Sequence, residues 1–270
     1  MQATELRHAD LHALHGQVVF ATGATKGLGA ELVLALARQG ARLAIVGRDG
    51  AAGEEVAAAV RAMGGAALVL PTDVTDAAAL QAAALQAQAH FGHIDRLLCA
   101  AGVGSPRQKV WDSSADDFHA CFDTNVLGVM LALRAVMPLM IARGQGGRVV
   151  VIGGTYGHKG VADAAVYAAS KWAVRGLCKS AALEGGPHDI TVNVVAPGGV
   201  AGPRLKRLFE ASAAREGLPY GAVLRRFTDK SALGRLVTGD DIAQAVIHLF
   251  SAGGRLITGQ DLVVDAGTLV

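Results

Sequence analysis

Short apolar runs alternate along the chain with longer Ala- and Leu-rich stretches in which apolar residues recur at helical spacing. The runs Gln17–Thr22, Arg42–Val46, Ala67–Pro71, Asp95–Cys99, Arg148–Ile152, Thr191–Val195 and Leu262–Val264 predict strands. The intervals 28–39, 50–63, 76–91, 115–142, 165–184 and 239–251 predict helices. Val149-Val150-Val151-Ile152 has no polar alternation, so both of its faces are expected to be covered by helices. Strand and helix taken in turn give βαβ units, and hence an α/β fold: one doubly wound domain around a seven-stranded parallel sheet.

The rhythm breaks once. Residues 199–234 contain no strand pattern and carry Arg204, Lys206, Arg207, Arg215, Arg225, Arg226 and Lys230 against Glu210, Glu216 and Asp229, a local excess of four positive charges. An insertion of this length in a compact domain is expected to be a substrate lid, and its charge to attract an anion; a solvated helical face is the other reading. Residues 1–13, with His8 and His12, read as an N-terminal extension, and 14–270 as the domain.

Composition narrows the class. Apolar residues make up 51% of the 270 positions and charged residues 18%, which excludes disorder. Lys and Arg total 25 against 23 Asp and Glu, without the basic stripe that nucleic acid requires. The apolar stretch from Val126 to Ala142 is interrupted by Arg134 and Pro138 and is expected to fall short of a membrane span. Cys99, Cys121 and Cys178 are odd in number and widely spaced, so reduced, buried thiols in a cytoplasmic protein are expected, and the histidines show no metal-ligand spacing.

The first predicted strand runs into Thr22-Gly23-Ala24-Thr25-Lys26-Gly27-Leu28-Gly29 and then a helix. Glycines there let backbone approach a pyrophosphate, and the helix start supplies unpaired N–H groups, so the segment predicts a dinucleotide site of Rossmann type. Ile45-Val46-Gly47-Arg48-Asp49 ends the second strand. Gly47 stands where a carboxylate would bind the adenosine ribose, while Arg48 and Lys26 offer cations for a 2′-phosphate, favouring NADP(H) over NAD(H).

These features, with Asp73-Val74, Ala101-Gly102, Asn125, Tyr167-Ala168-Ala169-Ser170-Lys171, Pro197-Gly198 and the closing Thr258-Gly259-Gln260, occur in the order found in short-chain dehydrogenases/reductases, and from Leu14 to Val264 the chain resembles that family. The resemblance implies a cofactor site of Gly23, Thr25, Lys26, Gly27, Leu28, Gly29, Arg48, Asp73, Val74, Ala101, Gly102, Tyr167, Lys171, Pro197, Gly198 and Val200. It implies Tyr167 as the proton donor to a carbonyl, Lys171 as its partner and holder of the nicotinamide ribose, and Asn125 as support for a water relay. Tyr and Lys at i and i+4 share a helical face. Bringing a phenol from a pKa of about 10 to near 7 takes about 4 kcal/mol, which a cation about 4 Å away can supply. The implied substrate is a small carbonyl or alcohol compound, and the implied assembly a homotetramer or homodimer through the long helices around Leu131–Met140 and Trp172.

The chain departs from the family at three places. Where a catalytic serine is usual, thirteen residues before Tyr167, stands Gly154, leaving Thr155 as the candidate substitute donor. Cys99-Ala100-Ala101-Gly102 lacks the usual asparagines, and Gly202 replaces a threonine at the nicotinamide. His158, Lys159 and Asp163 border the expected substrate pocket. Three functions therefore stay open: carbonyl/alcohol oxidoreductase, reductase of a C=N or C=C bond, and catalytically impaired nucleotide-binding regulator.

Overall fold

The computed structural model describes residues 13–270. Strand β1 (Val18–Thr22) leads into helix α1 (Gly27–Arg38), β2 (Arg42–Gly47) into α2 (Gly50–Ala62), and β3 (Ala67–Pro71) into α3 (Ala77–Phe91). After β4 (Arg96–Cys99), helix α4 (Ala115–Phe122) passes through a π turn, Asp123–Leu127, into α5 (Gly128–Arg143). The second half runs β5 (Gly147–Ile152), α6 (Ala165–Gly185), β6 (Ile190–Pro197), α7 (Pro203–Glu216), α8 (Tyr220–Thr228), α9 (Gly239–Phe250) and β7 (Asp261–Val264). The expectations for His8 and His12 and for most of the N-terminal extension fall outside the described residues.

The seven strands form one parallel sheet in the order β3-β2-β1-β4-β5-β6-β7, as the alternating pattern predicts. Alternate residues of each strand enter two cores. Val18, Phe20, Leu97, Val149 and Val151 pack beneath α3, α5 and α6, whereas Val19, Ala21, Leu98, Val150 and Ile152 pack beneath α1, α2 and α9. The strand order reverses between β1 and β4. In a doubly wound sheet the crevice beyond the carboxyl ends of the strands at this reversal is where a ligand sits.

Two expected elements differ in detail. The single helix expected over 115–142 contains the π turn, an extra residue of winding that carries buried Asn125. Residues 199–234 hold α7 and α8, which share a small core of Phe209, Ala213 and Val223, so the segment is a folded helical pair. Among the described residues, one helix, Ala115–Arg143, is long and apolar enough to cross a membrane by length and composition, and half of its most apolar window is buried within the fold. Cys99, Cys121 and Cys178 are free and buried, and burial pushes each thiol pKa up.

Candidate active site

The loop after β1 is shaped by backbone contact. Gly23 has φ +66°, and a Cβ on it would stand 2.3 Å from the Ala101 amide nitrogen; a Cβ on Gly29 would stand 2.0 Å from the Gly23 carbonyl oxygen. A side chain at 23 would push the β1 and β4 loops apart, and one at 29 would push the start of α1 off the loop after β1. Beside Gly27 nothing lies within 4 Å. Lys26, at the start of α1, makes no side-chain cap, and no acid occupies the first helical turn. The exposed Gly27 and the uncapped N–H groups therefore form a cradle that fits a pyrophosphate.

At the ends of β2 and β3 the expected cofactor residues meet. Thr25 fills the space beside Gly47, where a Cβ would stand 2.8 Å from its methyl carbon. Lys26 pairs with Asp49 at 2.6 Å, and Arg48 lies 3.8 Å from Asp73. Asp49 also caps α2 by accepting from the Ala52 amide at 3.0 Å. Asp73 accepts from both the amide and the hydroxyl of Thr75 at 2.9 Å, and these bonds hold its carboxyl below the ordinary range. Val74 is buried against Gly128 of α5. Pro197 closes β6; the following Gly198 packs on Asp265, and Val200 bridges Val237.

The reactive side chains sit between the ends of β4 and β5. One turn apart on α6, Tyr167 and Lys171 point to the same end of the sheet, where Lys171 Nζ donates to the Ile152 carbonyl at 3.0 Å and stands 5.7 Å from the Tyr167 ring centre. A Cβ on Gly102 would lie 3.4 Å from Asn125 Oδ1 and 3.7 Å from Lys171 Nζ, so Gly102 keeps this corner open. Asn125 uses both ends of its amide. Its Oδ1 accepts from the Val103 amide at 2.8 Å, and its Nδ2 donates to the Val103 carbonyl and to Ser170 Oγ, each at 3.0 Å. Ser170 in turn donates to the Tyr167 carbonyl at 2.7 Å. The π turn thus locks the β4 loop and the backbone beneath Tyr167 together.

Charge in this corner differs from what the i, i+4 spacing suggests. Burial raises the Tyr167 phenol above its ordinary value, and the cation opposing that rise is Arg204 of α7. Lys171 is tethered to Ile152, and burial followed by the charge of Arg204 lowers it to about 8. A lysine whose folded pKa lies below its unfolded value costs stability while charged. That cost is full below pH 8, shrinks between 8 and 10.5 as the folded chain sheds the proton first, and is absent above. Lys171→Met is therefore expected to raise the unfolding free energy at pH 7 by roughly 2 kcal/mol, net of the lost bond to Ile152, and to lower it by up to about 1 kcal/mol at pH 10.5, where only the lost bond remains. Urea denaturation at the two pH values measures this; destabilisation at pH 7 would contradict it.

A Cβ on Gly154 would stand 3.9 Å from Tyr167 Oη and 4.0 Å from the Pro197 carbonyl oxygen, so this position faces the phenol and carries no hydroxyl. Thr155 is buried in a short 3₁₀ turn, Thr155–Gly157. Lys159 and Asp163 tie down the surrounding segment. Burial lowers the His158 pKa, Lys159 Nζ donates to the Thr268 carbonyl at 3.4 Å, and Asp163 pairs with Lys109 at 2.9 Å.

Two residues at the mouth were not singled out by the sequence. Tyr156 stacks edge-on against Tyr167 at 5.8 Å, and the Arg204 guanidinium stands 6.0 Å from the Tyr167 ring centre. Arg204 is one of seven cations in its segment, and only the turn of α7 distinguishes it from the others. Gly202 opens onto free space, with nothing within 4 Å of its Cβ position. Among the described residues no cluster of His, Cys, Asp or Glu is arranged to hold a metal.

Known proteins place this geometry. The family model for short chain dehydrogenases matches residues 17–213. Galactitol 2-dehydrogenase of Agrobacterium fabrum is 34% identical over 256 residues, covering 94% of this chain and 98% of its own. D-threitol dehydrogenase of Mycolicibacterium smegmatis is 34% identical over 268 residues and covers 98% of both. The crystal structure of carveol dehydrogenase from Mycobacterium avium in complex with NAD superposes with a TM-score of 0.88 at 28% identity, covering 96% of this chain and 99% of that one.

Proposed function

The chain belongs to the short-chain dehydrogenase/reductase family of nicotinamide-dependent oxidoreductases acting between alcohols and carbonyls, and on that premise we propose that it is an NADP(H)-dependent enzyme in which Tyr167 moves the proton at the substrate oxygen. The observation that carries this is the convergence of Tyr167, Lys171 and the Asn125 clamp at the ends of β4 and β5, beside the uncapped start of α1. When bound, the dinucleotide supplies or accepts the hydride. Tyr167 gives its proton to the carbonyl oxygen in reduction and takes it back in oxidation. Lys171 holds the nicotinamide ribose and Asn125 keeps the β4 loop in place, with Thr155 beside the glycine that lacks the serine hydroxyl. In this reading Thr25, Gly27, Leu28, Val74, Ala101 and Val200 line the dinucleotide.

Preference for NADP(H) rests on the rim around Gly47. Thr25 occupies the space a ribose-binding carboxylate would need, while Arg48 and Lys26 are exposed. Their pairs with Asp73 and Asp49 are solvent-screened surface ion pairs, weaker than charge-assisted hydrogen bonds to a phosphate. A 2′-phosphate therefore displaces the two acids at a net gain. The missing hydroxyl at Gly154 favours one second reading, reduction of a C=N or C=C bond, where no carbonyl oxygen asks for that donor. A cytoplasmic setting goes with the three buried thiols. Assembly as a homodimer or homotetramer uses α5 and α6, whose outer faces expose Met130, Ile141 and Trp172.

The test is consumption of NADPH and NADH with carbonyl, imine and activated-alkene panels, alongside fluorescence titration of both cofactors. Carbonyl-dependent NADPH consumption is expected, and Arg48→Ala is expected to weaken NADPH about tenfold while leaving NADH within about twofold. Equal dissociation constants in the unaltered protein would remove the NADP(H) assignment, and turnover of imines or alkenes alone would establish the second reading.

A further inference from the structure

Among the described residues four of the seven lid cations, Arg204, Arg207, Arg225 and Lys230, enter no salt bridge, and Arg204 is the one that lies against the Tyr167 ring. Lys206 faces Glu210 at 3.9 Å, and Arg215 and Arg226 share Glu216 at 3.6 Å and 2.7 Å. The Arg204 guanidinium instead turns back from the first turn of α7 into the reactive corner, 6.0 Å from the Tyr167 ring centre, with Nη2 3.1 Å from where a Cβ on Gly104 would stand. The guanidinium thus lies close over the backbone at Gly104.

A second guanidinium approaches from the opposite wall. Arg107, on the loop after β4, donates to Tyr156 Oη at 3.0 Å, and the Tyr156 ring meets that of Tyr167 edge-on. An acid whose charge reaches Arg107, Asp163, is already held by Lys109 at 2.9 Å. Two guanidinium groups, from two separate elements, thus flank the tyrosine pair without a carboxylate of their own. A neutral substrate closing this mouth would strip water from Arg204 and return nothing, whereas a carboxylate accepts its planar fork of donors.

Resting on the carbonyl/alcohol reading above, we infer that the substrate carries a carboxylate on, or one carbon from, the reacting carbon, and that Arg204 is the side chain that binds it. Arg107 adds to the field at the mouth. Galactitol, D-threitol and carveol, for which the similar dehydrogenases are named, are all uncharged alcohols, so this chain would be set apart from those proteins by its lid.

Steady-state kinetics with NADPH on 2-oxo and 3-oxo carboxylic acids, each against its methyl ester, decide the matter. The acids are expected to be preferred, and Arg204→Gln to lower the acid-to-ester ratio of kcat/KM about ten- to a hundredfold, through KM for the acids, over and above any change in kcat common to both from removing the charge beside Tyr167. Arg204→Lys should restore part of the loss, and Lys206→Gln should do nothing. Equal use of acids and esters by the unaltered protein overturns the inference. So does an Arg204→Gln defect that leaves the acid-to-ester ratio unchanged, which would confine the arginine to the reacting groups, and so does a weakened affinity for NADPH, which would put it on the dinucleotide. If no compound is turned over at all, the oxidoreductase reading fails separately. Calorimetric titration of malonate into the NADP-saturated protein then decides the anion site: binding that Arg204→Gln abolishes upholds it, and absence of binding ends it.

Discussion

Tyr167→Phe is expected to give a folded protein that binds NADPH normally and turns over roughly 10³-fold more slowly, if at all. The substitution removes one oxygen and little else. The ring keeps its edge-on contact with Tyr156, and the bond from Ser170 runs to the backbone carbonyl of residue 167, so the underlying clamp persists. Burial holds the phenol in its protonated form, which is the form that gives a proton to a carbonyl. The loss is severe because no hydroxyl at Gly154 stands ready to take over. Measurements of kcat at saturating NADPH, cofactor affinity and melting temperature separate the three properties. A kcat above a tenth of the unaltered protein's would remove Tyr167 from proton transfer.

The sheet was legible because its strands are apolar on both faces, a pattern that only helices on both sides explain. That Tyr167, Lys171 and Asn125 lie near one another was legible from spacing along one element and from position in the chain. What spacing cannot show is direction. Lys171 lies at the right interval from Tyr167, yet its ammonium is committed to the Ile152 carbonyl, and the charge that acts on the phenol comes from α7, some forty residues on. Asn125 likewise sits in a π turn that a period of 3.6 residues does not encode, and the turn is what lets one amide hold Val103 and Ser170 at once. Segment 199–234 stood out as an excess of charge, but that Arg204 is the cation lying against Tyr167 depends on how α7 packs over the β4 loop, which is remote in sequence.

Gly154→Ser is expected to increase kcat for carbonyl reduction by roughly tenfold or more, since the loss of one donor to a developing oxyanion costs about 10²–10³-fold in other enzymes. Space permits the change. Gly154 has extended backbone, with φ 162° and ψ 155°, which any residue adopts, and the nearest atoms to a Cβ there are Tyr167 Oη at 3.9 Å and the Pro197 carbonyl oxygen at 4.0 Å. A serine hydroxyl would therefore face the phenol from the side the substrate oxygen must share. Gly154→Ala is the control, because it fills the same volume without a donor and is expected to leave kcat unchanged or lower. The comparison also distinguishes substrate classes. A carbonyl substrate gains from the new donor; a C=N or C=C substrate, with no oxygen to stabilise, gains nothing from Ser over Ala. An unchanged kcat on carbonyl compounds would mean that Thr155 or Arg204 already donates to the oxygen, and Gly154→Ser carrying Thr155→Val would then regain activity that Thr155→Val alone has lost only if Thr155 is the donor.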